Sequence, residues 1–213
     1  MEKNQLVALI TEAVIKQLCE NSGANKIPVA ISNRHVHLSQ EDINRLFGAN
    51  HQFKLLKNLS QPGQFAYEEK VTLVGPKGVL ENVRILGPAR TKTQVEISVS
   101  DGIKLGVKAP IRDSGELDQS ASLTLVGPLG STTLPEGTII ATRHIHMHPD
   151  DATRLGVKDQ DRINVKVPGA RGLVYQQMLV RVSDKYKLEM HIDVEEANAA
   201  YLKNNDTVEI VYK

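Results

Sequence analysis

The pattern of hydrophobic and polar positions divides the chain into a short helical start and a long β-rich remainder. Apolar residues recur at helical spacing over Glu2–Glu20 with polar side chains between them, which is typical of an amphipathic helix. The polar run Asn21–Lys26 contains a glycine and predicts a break after this helix. We assign residues 1–22 to an N-terminal helix and residues 23–26 to a linker, and two alternatives stay open, docking on its own domain or on a partner.

From Ile27 onward, short runs rich in β-branched residues alternate with Gly, Pro and Asn turn signals, as expected of a mainly β protein built as a barrel or a sandwich. Two short helical patches, Gln40–Leu46 and Pro149–Leu155, interrupt the strands, with Ser39 and His148 at their N-cap positions. The predicted strands are Pro28–Ser32, Lys70–Val74, Val79–Leu86, Gln94–Ser98, Ser122–Val126, Thr138–Thr142, Arg162–Val167, Val174–Val182, Leu188–Asp193 and Thr207–Tyr212.

One short sequence occurs twice in the chain. NRHVHLS at Asn33–Ser39 returns as TRHIHMH at Thr142–His148, 109 positions later. In each copy an arginine precedes two histidines that are two residues apart. Residues i and i+2 of a strand share a face, so the two histidines of each copy point the same way and form half of a candidate metal site.

The duplication extends beyond the histidines. With gaps, Val71–Leu86 aligns with Ile163–Val182, and Gln94–Ser98 aligns with Leu188–Asp193. Each half therefore runs through a strand, a histidine pair, a short helix, a hairpin and a late strand. This order predicts two related β units.

Each histidine pair needs one more ligand, because catalytic zinc keeps three protein ligands and an open position. The aligned late strands offer Glu96 and His191. The alternatives are an exposed strand carboxylate for Glu96 and a hydrogen-bonded core histidine for His191. His51 and His148 lack repeat partners, and we leave them outside the site. The candidate metal ligands are His35, His37, Glu96, His144, His146 and His191.

Composition limits the functions that the chain can have. Lys and Arg number 26 against 25 acidic residues, and aromatic residues make up 4% with no tryptophan, so neither nucleic acid nor a membrane surface is an expected partner. Cys19 is the only cysteine, which excludes an intramolecular disulfide and thiolate-rich zinc sites. No apolar run reaches the roughly 18 residues of a membrane helix and no signal sequence is recognisable, so we expect a soluble cytoplasmic protein.

Candidate anion-binding residues cluster in the first half. Arg90 follows a Gly-Pro turn just upstream of Glu96, where a guanidinium can bind a phosphate or a carboxylate; a surface salt bridge is the alternative. Neither a glycine-rich nucleotide loop nor a GxSxG serine motif is present. The other cations of this half are Lys57, Lys77, Arg84 and Lys92, which suit a polyphosphate ligand but are equally consistent with plain solubility.

Five stretches of the chain carry a resemblance to a known family: NRHVHLS, QPGQFAYEEKVTLVGPKG, ILGPARTKTQVEIS, ATRHIHMHP and LEMHIDVEEANAA. They are similar to the corresponding motifs of the PduL-type phosphotransacylases, also called phosphate propanoyltransferases. The similarity runs from about Ile27 almost to the C-terminus. It implies two tandem, intertwined β-barrel domains with short capping helices, a central barrel over residues 34–141 and a second barrel formed by residues 27–33 with 142–213.

The resemblance also implies an activity, the reversible conversion of acyl-CoA and phosphate to acyl phosphate and CoA, with propanoyl-CoA or acetyl-CoA as substrate. It implies two metal ions, typically zinc, one held by His35, His37 and Glu96 and the other by His144, His146 and His191. The phosphate-binding arginine of the family falls on Arg90. The CoA contacts of the family fall on Ser32, Lys57, Arg84 and Asn198. We also expect a homo-oligomer.

Family members that work inside bacterial microcompartments carry a short N-terminal amphipathic helix on a linker. The resemblance therefore implies that residues 1–22 act as an encapsulation peptide that binds shell or cargo proteins, in the lumen of a microcompartment. Two other functions compete with the acyltransferase. One is a dinuclear zinc hydrolase, although the chain is short for a (β/α)₈ barrel and lacks its alternation of strands and helices. The other is a non-enzymatic metal-binding or shell-docking β module.

Overall fold

The structure, a computed structural model, describes residues 25–212 and, before them, residues 5, 7, 9–11, 13 and 14. The described residues of the N-terminal segment are helical. Their apolar side chains Val7, Leu9, Ile10 and Val14 are 48–55% exposed. The rest of the predicted helix, including Cys19, and residues 23 and 24 of the predicted linker lie outside the described residues.

The described chain is mainly β, as predicted. Four short helices accompany the strands in the part of the chain from residue 25 onward: α1 Gln40–Phe47, α2 Val99–Leu105, α3 Pro149–Arg154 and α4 Val194–Ala200. The strands are β1 Lys26–Ser32, β2 His35–Ser39, β3 Leu55–Asn58, β4 Phe65–Val74, β5 Val79–Arg90, β6 Gln94–Glu96, β7 Ile111–Arg112, β8 Ala121–Val126, β9 Ser131–Ala141, β10 His144–Met147, β11 Arg162–Val167, β12 Leu173–Val182, β13 Glu189–Asp193 and β14 Thr207–Val211. Among the described residues, no helix combines the length and the hydropathy that a membrane crossing requires.

Six strands close the central barrel in the order β9, β6, β2, β5, β4 and β8, with β8 pairing back onto β9. β3 and β7 extend it at β4 and β9. The second barrel closes in the order β1, β13, β10, β12, β11 and β14. The predicted pair of barrels is therefore confirmed, whereas the division into domains over residues 34–141 and 27–33 with 142–213 stays a prediction.

The two barrels repeat one pairing scheme. β2 pairs parallel with β5 and antiparallel with β6, and β10 pairs in the same way with β12 and β13. β1 pairs parallel with β13, as β9 does with β6. Because β1 precedes β2 and β9 precedes β10 in the chain, each connection crosses from one barrel into the other. These two crossovers intertwine the barrels.

Each barrel has its own apolar core, and the cores decide where the histidines point. Val36, between the histidines of β2, is fully buried in the core of the central barrel. Ile145, between those of β10, is fully buried in the core of the second barrel. Alternate residues of a strand face opposite sides, so both histidine pairs face outward, toward the neighbouring barrel. Burying the intervening side chains contributes roughly 1.5–3 kcal/mol each and holds that orientation.

Some element boundaries differ from the predictions. Lys26, assigned to the linker, begins β1 because it pairs with Glu209 of β14, and Asn25 before it is buried. The predicted strand over Gln94–Ser98 ends at Glu96 because Ser98 caps α2. β3, β7, α2 and α4 were absent from the predicted elements.

Candidate active site between the barrels

The two crossovers bring both histidine motifs to one cleft. Asn33 and Arg34 line it from the first crossover, and Ala141 and Thr142 line it from the second. The candidate ligands that line the same cleft are His35, Glu96, His144 and His191. Residues that are far apart in the sequence therefore meet at the junction of the barrels.

The first cluster consists of His35, His37 and Glu96. β2 and β6 pair so that His35 lies directly opposite Glu96. One ligand atom from each of the three side chains lies within 4.8 Å of those of the others. His35 Nδ1 donates to the Asn33 carbonyl oxygen at 2.8 Å, because a carbonyl can only accept. That bond leaves Nε2, 3.4 Å from Glu96 Oε2, free to bind a cation.

The second cluster consists of His144, His146 and His191. β10 and β13 pair so that His144 lies directly opposite His191. Its ligand atoms also lie within 4.8 Å of one another. His144 Nδ1 donates to the Thr142 carbonyl oxygen at 2.8 Å, which repeats the first cluster. The His146 ring stacks on Tyr186 with 4.0 Å between ring centroids.

Several ring nitrogens of these clusters have no hydrogen-bond partner. Among the described residues, His37 Nδ1 and both ring nitrogens of His146 are buried and have no hydrogen-bond partner. His191 Nε2 also lacks a hydrogen bond, but it lies 3.2 Å from Glu189 Oε2. An unsatisfied buried polar group costs about 1–3 kcal/mol. Imidazole nitrogen and carboxylate oxygen are ligands that zinc prefers. The side chains present therefore fit a divalent metal in each cluster.

Burial prepares the side chains for this role. It lowers the pKa of His37 to about 3, of His144 to about 4 and of His146 to about 2, and neighbouring positive groups add to each shift. Burial favours a raised pKa for the Glu96 carboxyl, but the charge and hydrogen bond of His35 outweigh it and hold that pKa well below its usual range. At neutral pH these imidazoles are neutral and the carboxylate is ionised, as metal ligation requires.

His35 differs from the other histidines in its protonation. Burial lowers its pKa, but the charge of Glu96 and the contact with it raise the pKa further than burial lowers it. The Glu96 carboxylate therefore favours a positive charge at His35 Nε2, 3.4 Å away. A metal cation satisfies the same attraction.

Arg90 lies beside the first cluster. Its Nη1 donates to Ser114 Oγ at 3.1 Å. Burial lowers the pKa of Arg90, the charge of Glu96 raises it and that of Arg181 lowers it. These three charged groups are therefore close enough to interact, and the two arginines come from different barrels.

Arg181 was missed by the sequence interpretation. It lies on β12 opposite His146. Its charge also acts on His144 and His146. No local motif marks Arg181 in the sequence, because only the pairing of β10 with β12 brings it to the site.

Gln94 and Glu189 were also missed, although the aligned late strands contain them. Each lies two residues before the third candidate ligand, on the same face of its strand. Gln94 Nε2 donates to Glu96 Oε1 at 2.6 Å. Glu189 Oε2 lies 3.2 Å from His191 Nε2. Strand alternation in QVE and EMH could have identified both residues, because it places each on the same face as the third candidate ligand.

The residues predicted to contact CoA are spread around the junction. Ser32 lines the cleft at the end of β1. Arg84 lies on β5 opposite His35, but its Nη1 donates to the carbonyl oxygens of Tyr67 and Glu68. Lys57 on β3 and Asn198 on α4 are both exposed. Only Ser32 of the four lies against the cleft itself.

The two histidines left outside the site have other surroundings. His51 Nε2 lies 3.4 Å from Glu69 Oε1, and its ring packs between aromatic rings. His148 caps α3, where its Nδ1 accepts from the Asp150 backbone amide at 3.3 Å. Neither belongs to a cluster of candidate metal ligands among the described residues.

Arginine holds the same position in both motifs for a structural reason. Arg34 Nε donates to both carboxylate oxygens of Asp101, at 2.8 and 2.9 Å. Arg143 Nη1 donates to Glu196 Oε1 at 3.2 Å. Asp101 and Glu196 are the capping-box residues of the helices that follow β6 and β13. Each arginine thus ties its histidine strand to the helix behind the third candidate ligand.

Comparison with known proteins identifies similar chains. The sequence model of the phosphate propanoyltransferase family matches residues 28–203. A phosphate propanoyltransferase of Rhodopseudomonas palustris is 52% identical over 188 residues, which cover 88% of this chain and 83% of the relative. Another, of Priestia megaterium, is 50% identical over 208 residues, covering 97% and 95%. A third, of Salmonella typhimurium, is 46% identical over 196 residues, covering 92% and 93%.

Proposed function

Because the chain belongs to the phosphate propanoyltransferase family and is an acyltransferase, we propose that it transfers a propanoyl or acetyl group reversibly between CoA and phosphate in the cleft between the barrels. The observation that carries this proposal is that Arg90, a phosphate-binding side chain by its chemistry, lies beside Glu96 of the first cluster, while residues of both clusters line one cleft. Anion and metal sites at one cleft suit a reaction in which every participant carries or develops negative charge.

Each cluster holds one divalent metal, most simply Zn²⁺. His35, His37 and Glu96 hold the first, and His144, His146 and His191 hold the second. The buried nitrogens without partners support this assignment, since a metal satisfies them. Bound zinc supplies Lewis-acid stabilisation of the developing oxyanion or of the departing thiolate, a ligand that zinc accepts readily.

Arg90 binds phosphate. Phosphate is already an anion at neutral pH, so it needs positioning and partial neutralisation of its charge more than deprotonation. The Ser114 hydroxyl holds the guanidinium on one side. Arg181 adds positive charge from the second barrel. Two cations from different barrels therefore offset the charge of phosphate in the cleft.

The transfer is direct. An oxygen of phosphate forms a bond to the thioester carbonyl carbon, the carbon–sulfur bond breaks, and sulfur leaves with the electron pair as the CoA thiolate. No protein atom carries the acyl group. Cys19 lies outside the described residues, in the N-terminal segment, and no paired base is apparent for it in the sequence. Acyl label that stays on the protein after incubation with labelled acyl-CoA alone would contradict direct transfer.

CoA binds along the junction, with Ser32, Lys57, Arg84 and Asn198 as its contacts. Ser32 supports this because it lines the cleft beside His35. Lys57 and Asn198 support it because both are exposed and free to meet the charged and polar parts of CoA. Arg84 holds the backbone of β4, so it contributes through any donors that remain on its guanidinium.

The N-terminal helix is an encapsulation peptide that places the enzyme in the lumen of a cytoplasmic microcompartment. Its described apolar side chains are about half exposed, as a docking face requires. The family match begins at residue 28, after this segment. The helix therefore directs encapsulation and takes no part in catalysis.

One assay tests the central proposal. CoA release is measured from propanoyl-CoA and acetyl-CoA, with and without phosphate and with and without a chelator. We expect release that depends on phosphate, disappears with chelator and returns with Zn²⁺. Release without phosphate indicates the hydrolase, whereas metal binding without any release indicates the non-enzymatic module.

A further inference from the structure

A buried carboxylate of the second barrel has no part in the reaction proposed above. Glu189 is 6% exposed and begins β13, two residues before His191. Its Oε2 lies 3.2 Å from His191 Nε2. The metal cluster among the described residues consists of His144, His146 and His191, and Glu189 lies outside it. Glu189 is therefore a neighbour of the candidate ligand rather than a fourth ligand.

The central barrel holds this carboxylate in place. Ser60 Oγ donates to Glu189 Oε2 at 2.5 Å, and Gln61 Nε2 donates to the same oxygen at 3.0 Å. Gln61 also bonds to the Lys187 backbone, donating to its carbonyl oxygen at 3.0 Å and accepting from its amide at 3.2 Å. Both side-chain partners donate to one carboxylate oxygen, which favours the ionised form of Glu189.

The central barrel contains an equivalent pair, Gln94 and Glu96, in which the carboxylate is the candidate ligand and not its neighbour. Gln94 lies opposite His37, as Glu189 lies opposite His146. Gln94 donates its amide to the carboxylate of Glu96. Each residue thus faces the candidate ligand of its own strand, an amide donor beside a carboxylate in one barrel and a carboxylate beside an imidazole in the other.

We infer that Glu189 is a positioning residue for His191, held by Ser60 and Gln61 of the opposite barrel, and that it supplies the negative charge that the all-histidine metal site lacks. A carboxylate that faces one nitrogen of a ligand imidazole orients the ring and strengthens metal binding through the other nitrogen. Three neutral imidazoles leave the charge of a buried dication uncompensated, whereas Glu96 compensates it directly in the first cluster.

This inference rests on the proposed two-metal site, so the unmodified chain is measured first. Zn²⁺ is titrated in competition with a chromophoric chelator, and CoA release is assayed with phosphate. Two bound Zn²⁺ with phosphate-dependent release supports the proposed function and allows the next step. A chain that binds no Zn²⁺ overturns both the proposed function and the inference.

The second site is then isolated in a His37→Ala background, which removes a ligand of the first. We expect Glu189→Gln to weaken Zn²⁺ binding there roughly 10- to 100-fold. The visible absorption of the Co²⁺-loaded site should shift as well, since the carboxylate tunes the field of the imidazole. Glu209→Gln is the matched control, because Glu209 is exposed on β14 of the same barrel, and it should change neither readout.

Zn²⁺ affinity that stays within about threefold of the background protein overturns the inference while the proposed function stands. Folding of each variant is followed by circular dichroism. If Glu189→Gln does not fold, Ser60→Ala is measured instead, because it removes one donor to the carboxylate and leaves the carboxylate in place. A fall in affinity in Ser60→Ala supports the inference, and unchanged affinity overturns it.

Discussion

The two ligand clusters share a backbone and differ in their chemistry. In both, a histidine pair on a central strand lies opposite a third candidate ligand on the antiparallel neighbour, and the first histidine donates to the carbonyl two residues before it. The third position is a carboxylate in one cluster, Glu96, and an imidazole in the other, His191. The backbone pairing is thus repeated, while the ligand side chains are not.

The neighbours of the third ligand follow this difference. Gln94 donates to the carboxylate, whereas Glu189 faces the imidazole. Arg90 and Ser114 join the first cluster, and Ser60 and Gln61 reach across to the second. The two barrels therefore share a strand register but differ in pairs of side chains, each pair being a candidate ligand and its neighbour. A change of the ligand alone would leave its neighbour without a suitable hydrogen-bond partner.

Removal of one candidate ligand from either cluster should have the largest effect on activity. We expect Glu96→Ala and His144→Ala each to lower kcat/KM roughly 100-fold or more, because a cluster with two ligands loses its metal. Metal content per chain, measured by mass spectrometry, should fall by one ion in each variant. His148→Ala is the control, since His148 lies outside both clusters. Full activity in either variant would show that its cluster is not catalytic.

The two arginines provide the next largest contrast. Arg90→Ala should lower kcat/KM for phosphate roughly 100-fold, since it removes a partly buried donor to the anion. Arg181→Ala should lower it about tenfold, because Arg181 acts through its charge from the second barrel. Steady-state kinetics with varied phosphate measures both, and Arg171→Ala on the exposed hairpin is the control. Equal losses would mean that the two arginines share one role.

The arginines that precede the histidines should differ in their contribution to stability. The two arginines are similarly exposed, but the Asp101 carboxylate that accepts two bonds from Arg34 is buried, whereas the Glu196 carboxylate that accepts from Arg143 is partly exposed. We expect Arg34→Ala to lower the free energy of unfolding by about 1–3 kcal/mol. Arg143→Ala should lower it by less than about 1 kcal/mol. Urea denaturation measures both, and the reverse order would contradict this account.

The smallest expected effect is that of the N-terminal segment on catalysis. Deletion of residues 1–22 should leave kcat within about twofold, because the segment lies before the family match and its described apolar side chains do not enter a barrel core. The same deletion should abolish association with shell proteins in a sedimentation assay. A polar helix of equal length in its place is the control. If deletion of residues 1–22 abolished folding, the segment would be a structural part of the barrels and this prediction would be wrong.

Much of the fold followed from the sequence, the mainly β class from local patterns and the two barrels from the resemblance to a known family. The family predicted from five motifs is confirmed, as is the mainly β class with two barrels. The helices after β6 and β13 were missed although Ser98 with Asp101 and Asp193 with Glu196 form capping boxes there. Both helices are short and begin with a valine, so residue propensities predict a strand there. The hydrogen bonds of the capping boxes stabilise the helical conformation instead.

The two similar motifs are enough to establish that each places two histidines on one face of a strand, with a β-branched residue between them. Tertiary structure decided that these faces meet. Strand periodicity specifies the side of a sheet, but not which sheet covers it. Val36 and Ile145 enter separate cores, and the crossovers of the chain turn the opposite faces toward each other. The same arrangement of strands brings Arg181 opposite His146. It also brings Ser60 and Gln61 of the central barrel within hydrogen-bond distance of Glu189 in the second barrel.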